Sequence, residues 1–220
     1  MELTFNGMNR PMGRVNTPVG ICVYPHLTSP DTKFKARGEF HSKLAFESDE
    51  IEELAELVEE ARDIAQAEWE KDAKAADKKK LTLFDSVTDE EDDEGEPTGR
   101  KIIRVAMYHT TESEAKGKTF TFEPRVWDAM NKPLDLDGLE VWGGSRIRCA
   151  VDLVPWYSAK DKQLGIKLRL FGFQIIELRN GGNGGVSPFG ETEGYVADHS
   201  QSKPEDDAPF SDDDSDDGDY

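Results

Sequence analysis

Cysteine is nearly missing from this chain. Cys22 and Cys149 are the two among 220 residues, too few and too far apart for a disulfide framework. Each sits in an apolar-alternating stretch, which reads as a buried thiol in a reducing compartment. No run of 18 apolar residues occurs and no charged-then-apolar leader opens the chain, so neither membrane spanning nor export is indicated. Histidine is scarce too. His26, His41, His109 and His199 show no HxxxH or HxH spacing and no cysteine pair nearby, so a zinc site has little support in the sequence. The glycines of "NGGNGG" precede no Lys-Ser or Lys-Thr and open no helix, so they are not a phosphate cradle. "DLDG" (135–138) starts like a calcium loop but lacks the third acidic ligand and the closing Glu, and reads as a tight turn.

Positive charge is in the minority, 27 Lys and Arg against 46 Asp and Glu for a net −19. That balance argues at first against a polyanionic partner. The distribution reverses the argument. Residues 198–220 hold ten acids and one Lys, residues 85–96 hold eight acids and no base, and residues 47–72 hold twelve acids against Arg62 and Lys71. The rest of the chain carries 24 Lys and Arg against 16 Asp and Glu, an excess of +8. A basic body therefore wears acidic appendages.

With 36% apolar residues the chain can bury one core and still carry such appendages. "KFKARGEFHSKLAF" (33–46) alternates, with Phe34, Ala36, Phe40, Leu44 and Phe46 on one side and Lys33, Lys35, Arg37, His41 and Lys43 on the other, which predicts a half-buried strand with a basic face. From Ser48 as N-cap the period changes to Ile51, Leu54, Ala55, Val58, Ala61, Ala65 and Trp69, predicting one amphipathic helix over about 48–76. "DSVTDEEDDEGEPTG" (85–99) combines like charge with Gly and Pro and reads as a solvated, mobile loop. Strand patterns return at 101–110, 119–127, 145–157 and 164–178. Five or more short strands with one inserted helix predict an all-β fold of the oligonucleotide-binding (OB) type, a five-stranded, partly open Greek-key barrel, with a generic β-sandwich as the alternative. The pattern predicts a domain over 1–180 followed, over 181–220, by a flexible Gly-rich linker and a disordered acidic tail.

Two strands carry chemistry. In 101–110, Arg104 and Tyr108 share one face while Ile103, Val105 and Met107 take the other. In 145–157, Arg146 and Arg148 lie opposite Ile147, Cys149, Val151 and Leu153, and Pro155 leaves Trp156 and Tyr157 near a rim. Cations that track phosphates beside rings that stack on unpaired bases are what sequence-independent binding of a single strand requires. Tyr108, Trp156 and Tyr157 are the stacking candidates. Arg104, Arg146, Arg148, Lys33, Lys35, Lys43, Lys160 and Lys162 are the phosphate candidates. A ring in a β protein is more often core than contact, and Trp69, on the apolar stripe of the helix, reads as packing. Trp127 and Trp142 rank below Trp156. A metal-dependent nuclease would need strand-borne acids, and Asp152 and Glu177 are the two with close apolar neighbours. No catalytic residue, metal or cofactor is assigned.

The stretch "WGGSRIRCAVDLVPWYSAKDKQLGIKLRLFGFQIIEL" (142–178), then a Gly-rich linker, "GYVA" and a carboxylate tail ending in an aromatic, resembles the single-stranded DNA-binding proteins of short-tailed phages of the T-odd type. "TPVGICVYPHLTSPDTKFKARGEFHSKL" and the helix after it fall in the same order. The resemblance implies an OB fold, binding of single-stranded DNA with little sequence preference, no enzymatic activity, and the cytoplasm of a bacterial host. It also implies an acidic tail that contacts DNA polymerase and helicase-primase, and a homodimer. By position it puts a stacking aromatic at Trp156, another at Tyr108 and a basic contact at Arg148. Here Trp stands at 156 in place of the usual Tyr and Tyr220 closes the chain in place of Phe. The family's basic residue two positions before the second aromatic appears as Ala106, with Arg104 as the substitute. Asp212, Asp213, Asp214, Asp216, Asp217, Asp219 and Tyr220 form the expected partner-binding tail, whose nine excess negative charges in 198–220 would also compete with DNA for the groove. The rival from another class is an acidic adaptor or DNA mimic that binds basic proteins through 85–96 and 205–220.

Overall fold

Among the described residues, strands take up far more of the sequence than helices do. A computed structural model of the chain describes residues 2–33, 35–92, 94–113 and 118–179. In chain order the elements are β1 (Gly13–Asn16), β2 (Gly20–Asp31), β3 (Glu39–Glu47), α1 (Glu52–Asp72), the single turn α2 (Ala75–Lys78), β4 (Thr82–Leu83), β5 (Val87–Glu91), β6 (Pro97–Tyr108), β7 (Thr110–Ser113), β8 (Lys118–Thr121), β9 (Arg125–Trp127), β10 (Pro133–Leu134), β11 (Arg146–Ser158) and β12 (Gln163–Glu177). The chain divides into a first unit, Met1–Asn183, and a second, Gly184–Tyr220. The linker and acidic tail expected over 181–220 lie outside the described residues.

Strands β11, β2, β3, β6 and β12 hydrogen-bond in that order, and β12 pairs back onto β11, so five strands close a ring. Within it β6 and β12 are parallel and the other neighbours antiparallel. This is the OB arrangement. The ring is tight along β11–β12, from Arg146↔Glu177 to Ser158↔Gln163. It is loose at two seams, where β11 meets β2 at Arg146↔Ile21 and Ile147↔Gly20, and β12 meets β6 at Leu168↔Val105 and Arg169↔Ala106. β12 then pairs with β9, Gly172 opposite Arg125.

The inner face is apolar: Leu44, Phe46, Ile103, Val105, Val151 and Leu168 are among its buried side chains. α1 packs on β11 and β12 through Leu54, Val58, Ala61 and Ala65, and the two alanines let the helix backbone come close. Cys22 and Cys149 are free and buried. Burial pushes the Cys22 thiol up to about 12, against a hydrogen bond to Ser42, so it is inert at neutral pH.

Four boundaries differ from the sequence reading. The helix begins at Glu52 because Ser48 uses its hydroxyl on the Gly99 carbonyl instead of capping, and it stops at Asp72, with α2 a separate turn. The strand expected over 33–46 begins at Glu39; Lys35–Gly38 form a turn, closed by the Gly38 amide donating to the Lys35 carbonyl. β2, which the sequence reading did not mark, is its partner. The solvated loop expected over 85–99 is largely a hairpin, β5 on β6. Opposite charge across the ladder explains it: Asp89 faces Lys101 at 2.6 Å, and Glu90 meets Arg100 at 2.6 Å, pairs that a reading of like charge along the chain does not anticipate.

Gly172 sets how closely β9 can approach β12. A Cβ there would stand 2.5 Å from the Arg125 carbonyl oxygen and 2.7 Å from the Trp127 ring. Gly172→Ala should therefore cost about 1–3 kcal/mol in a denaturant melt; an unchanged midpoint would show that β9 yields freely.

Candidate nucleic-acid interface

One open groove of about 1260 Å³ runs across the parallel seam. Its floor is one face of three strands: Arg104, Ala106 and Tyr108 of β6, Lys167 and Arg169 of β12, and Asp152, Val154 and Trp156 of β11. Register aligns a row across four strands, Arg14↔Asp152, Asp152↔Arg169 and Arg169↔Ala106. Ala106, the position where the resemblance expects a base, thus pairs with Arg169 across the seam. The sequence reading had offered Arg104 as the substitute.

Two buried carboxylates organise the cations. Asp152, 6% exposed, accepts from Arg14 Nε at 2.8 Å and from Arg169 at 2.9 Å. Glu39, 8% exposed, accepts from Lys35 and Arg104, each at 2.6 Å. Burial alone would raise both carboxyls. The hydrogen bonds and charges of Arg14 and Arg169 on Asp152, and of Lys35 and Arg104 on Glu39, outweigh it and hold both below the ordinary carboxylate range. Lys43, Lys167 and Arg125 also line the groove, so seven cations face four carboxylates there: Glu39, Asp85, Glu123 and Asp152.

Three rings of the groove, Tyr108, Phe171 and Trp156, sit beside cations. The Arg37 guanidinium carbon lies 3.2 Å from the Tyr108 centroid, with Lys35 Nζ at 5.0 Å. Arg14 lies 3.4 Å over Phe171 and Arg125 5.0 Å from the same ring. Lys167 Nζ is 5.1 Å from the Trp156 centroid. Phe171 reaches the floor through a bulge, since Ala150 pairs with Gly172 and Val151 with Leu170. Trp156 meets Phe84 edge-on at 5.6 Å. Gly165 lies beneath both, where a Cβ would come within 2.7 Å of Phe84 and 3.1 Å of the indole nitrogen. The indole N–H is buried with no acceptor among the described residues.

Of the stacking candidates, Tyr108 and Trp156 line the groove together and Tyr157 does not. Tyr157 points to the opposite face of β11 and packs on Trp69 at 4.8 Å, as strand alternation requires of consecutive residues. Lys35, Lys43 and Arg104 line the groove. Arg146 and Arg148 are exposed on the same face of β11 but beyond the groove's lining, Arg148 opposite Gln174 and Arg146 opposite Glu177. Lys160 and Lys162 lie in the β11–β12 turn, where Lys162 pairs with Asp77 at 3.0 Å. Lys33 lies in the β2–β3 connection, its amide donating to Asp31. Tail residues 212–220 lie outside the described residues. Asp152 and Glu177 are six residues apart in β11 register, roughly 20 Å, too far to hold metal ions about 4 Å apart.

Reasoning from sequence missed Arg14, Arg125, Lys167, Arg169, Phe84 and Phe171. The alternation of "KLRLF" could have found Lys167 and Arg169. Nothing local marks Arg14, which joins the groove through a four-residue strand.

The fold is shared with phage proteins. The crystal structure of gp2.5, a single-stranded DNA-binding protein encoded by bacteriophage T7, superposes with a TM-score of 0.58 at 21% identity, covering 84% of this chain and 99% of that one. The single-stranded DNA-binding protein of bacteriophage Enc34, in complex with ssDNA, gives 0.52 at 14% identity over 81% of this chain and 96% of that one. No family model and no curated protein matches the sequence.

The Asp152 clamp predicts an acid limb in stability. Folding favours its ionised form, so its contribution is complete above the unfolded value, about 3.9, and is lost as pH falls through the lower folded value. Asp152→Asn should cost about 1–3 kcal/mol at neutral pH, and the difference from the parent should shrink as pH drops below 4. A gap independent of pH would refute the clamp.

Proposed function

We propose that this chain is a non-enzymatic protein that binds single-stranded DNA without sequence preference and serves phage DNA replication and recombination. The observation that carries the reading is the row of cations beside Tyr108, Phe171 and Trp156 in one groove. Lys43, Arg104, Lys167 and Arg169 track phosphates, and the three rings offer faces to bases that are exposed only when unpaired. Arg148 and Arg146 extend the basic face of β11 past the groove, and Lys33, Lys160 and Lys162 supply outlying charge. The neighbour solved with ssDNA supports the same use of this fold. The acidic tail competes with DNA for the groove and, once displaced, recruits DNA polymerase and helicase-primase through its carboxylates and Tyr220. The nuclease alternative loses support because Asp152 is already engaged by two arginines. The adaptor alternative offers no role for the cation row.

The test is a tryptophan fluorescence titration with a deoxythymidine oligomer at several salt concentrations. Trp156→Ala should weaken binding by about 1–3 kcal/mol, the contribution of one stacked base, and remove the larger part of the quench. Lys167→Ala should lower the logarithmic salt slope by about 0.7. A chain ending at Lys203 should bind more tightly than the full one. Absence of salt-sensitive binding by both chains would overturn the reading, and equal affinity would overturn the role of the tail.

A further inference from the structure

The three side chains His26, Asp31 and His41 come from two strands and converge on one point beside the groove. Their ligand atoms all lie within 4.8 Å of one another. His41 Nε2 is 3.5 Å from Asp31 Oδ2, and the two imidazoles are 4.9 Å apart between centroids. The sequence hides this set because its members are 15 residues apart at the extremes. It is the β2–β3 register, His26↔His41, that brings them together. We infer that His26, Asp31 and His41 form a binding site for a divalent transition ion of the zinc type.

Ligand chemistry selects the ion. Two imidazoles and one carboxylate suit zinc and its neighbours, whereas magnesium and calcium take oxygen ligands. Around tetrahedral zinc, bonds of about 2.0–2.1 Å put ligand atoms roughly 3.3–3.4 Å apart. The His41–Asp31 separation already has that value to within a few tenths of an ångström. His26 must close the remaining gap; it is exposed and its imidazole makes no hydrogen bond among the described residues, so a rotation disturbs only its ring contact with His41. Three protein ligands leave a fourth position for water. A hydrogen bond between Asp31 and His41 alone would not require His26 to be there.

The placement gives the ion a mechanical role. Pairing between β2 and β3 is irregular here, with shifts between Val23 and His26 and again between His26 and Asp31, and Tyr24 takes a positive φ of 50°. A metal on His26, Asp31 and His41 staples the base of the connection that carries Lys35 and Arg37 over Tyr108. It would stabilise that rim and does not depend on what the groove binds.

The experiment uses the full chain, freed of metal with a chelator and held in excess Mg²⁺ so that the acidic tail is already occupied. Zn²⁺ is titrated by calorimetry, with a thermal melt at each end point. One equivalent should bind and raise the melting temperature. His26→Gln and Asp31→Asn should each weaken binding tenfold or more and abolish the shift, while their metal-free melts match the parent, which shows that they fold. His41→Gln is the third arm. Unchanged zinc affinity in all three variants, or no saturable binding in the parent, would overturn the site.

Discussion

Two buried carboxylates, Glu39 and Asp152, decide what the rest of this molecule can do with its positive charge. An arginine or lysine side chain carries about 2 kcal/mol of rotamer entropy, and a free cation must give that up when it binds a phosphate. Here Arg14, Arg169, Lys35 and Arg104 are already stationed by Asp152 and Glu39. The cost is electrostatic, because each carboxylate cancels part of the charge it organises. The balance still favours cations, and Lys43, Lys167 and Arg125 have no such anchor among the ion pairs of the described residues. The groove thus mixes held cations, which fix where a backbone can lie, with untied ones, which supply field.

The same clamp explains why the rings are where they are. Arg14 reaches Asp152 with its Nε while its guanidinium covers Phe171, so the ion pair and the ring contact fix each other. Phe171 faces the groove because of a bulge, and the bulge precedes Gly172, where Arg125 and Trp127 crowd the backbone of β12. Trp156 depends in turn on Gly165. The groove therefore follows from the loose β6–β12 seam and two glycines in β12, features of backbone more than of side-chain chemistry.

That is also the boundary of what could be read from sequence. Strand alternation in 101–110 and 145–157 was enough to place Arg104 with Tyr108, and Arg146 with Arg148, on their faces, and periodicity gave the five-stranded fold with its inserted helix, although the expected set counted 119–127, which lies outside the ring as β8 and β9, and left out β2, which belongs to it. Alternation likewise forbids Trp156 and Tyr157 from sharing a face, and the Pro155 argument overrode it wrongly. Arg14 beside Asp152, and His26 beside His41, depend on register between strands far apart in the chain. No local pattern encodes that. The hairpin at 85–99 was missed for a related reason: composition registers like charge along a segment, whereas stability came from Lys101 and Arg100 across the ladder.

A net charge of −19 and a groove lined with cations coexist because screening is short-ranged. At physiological salt the Debye length is about 8 Å, so a phosphate in the groove responds chiefly to the seven cations and four carboxylates beside it. The acids of α1 lie on its solvent side, since the helix buries Leu54, Val58, Ala61 and Ala65 against the barrel. Those of β5 are in part neutralised by Arg100 and Lys101. Salt that shortens the Debye length would screen the distant acids first and the groove last. Segregation in space, and not the sum of charges, is what lets so acidic a chain present a basic face.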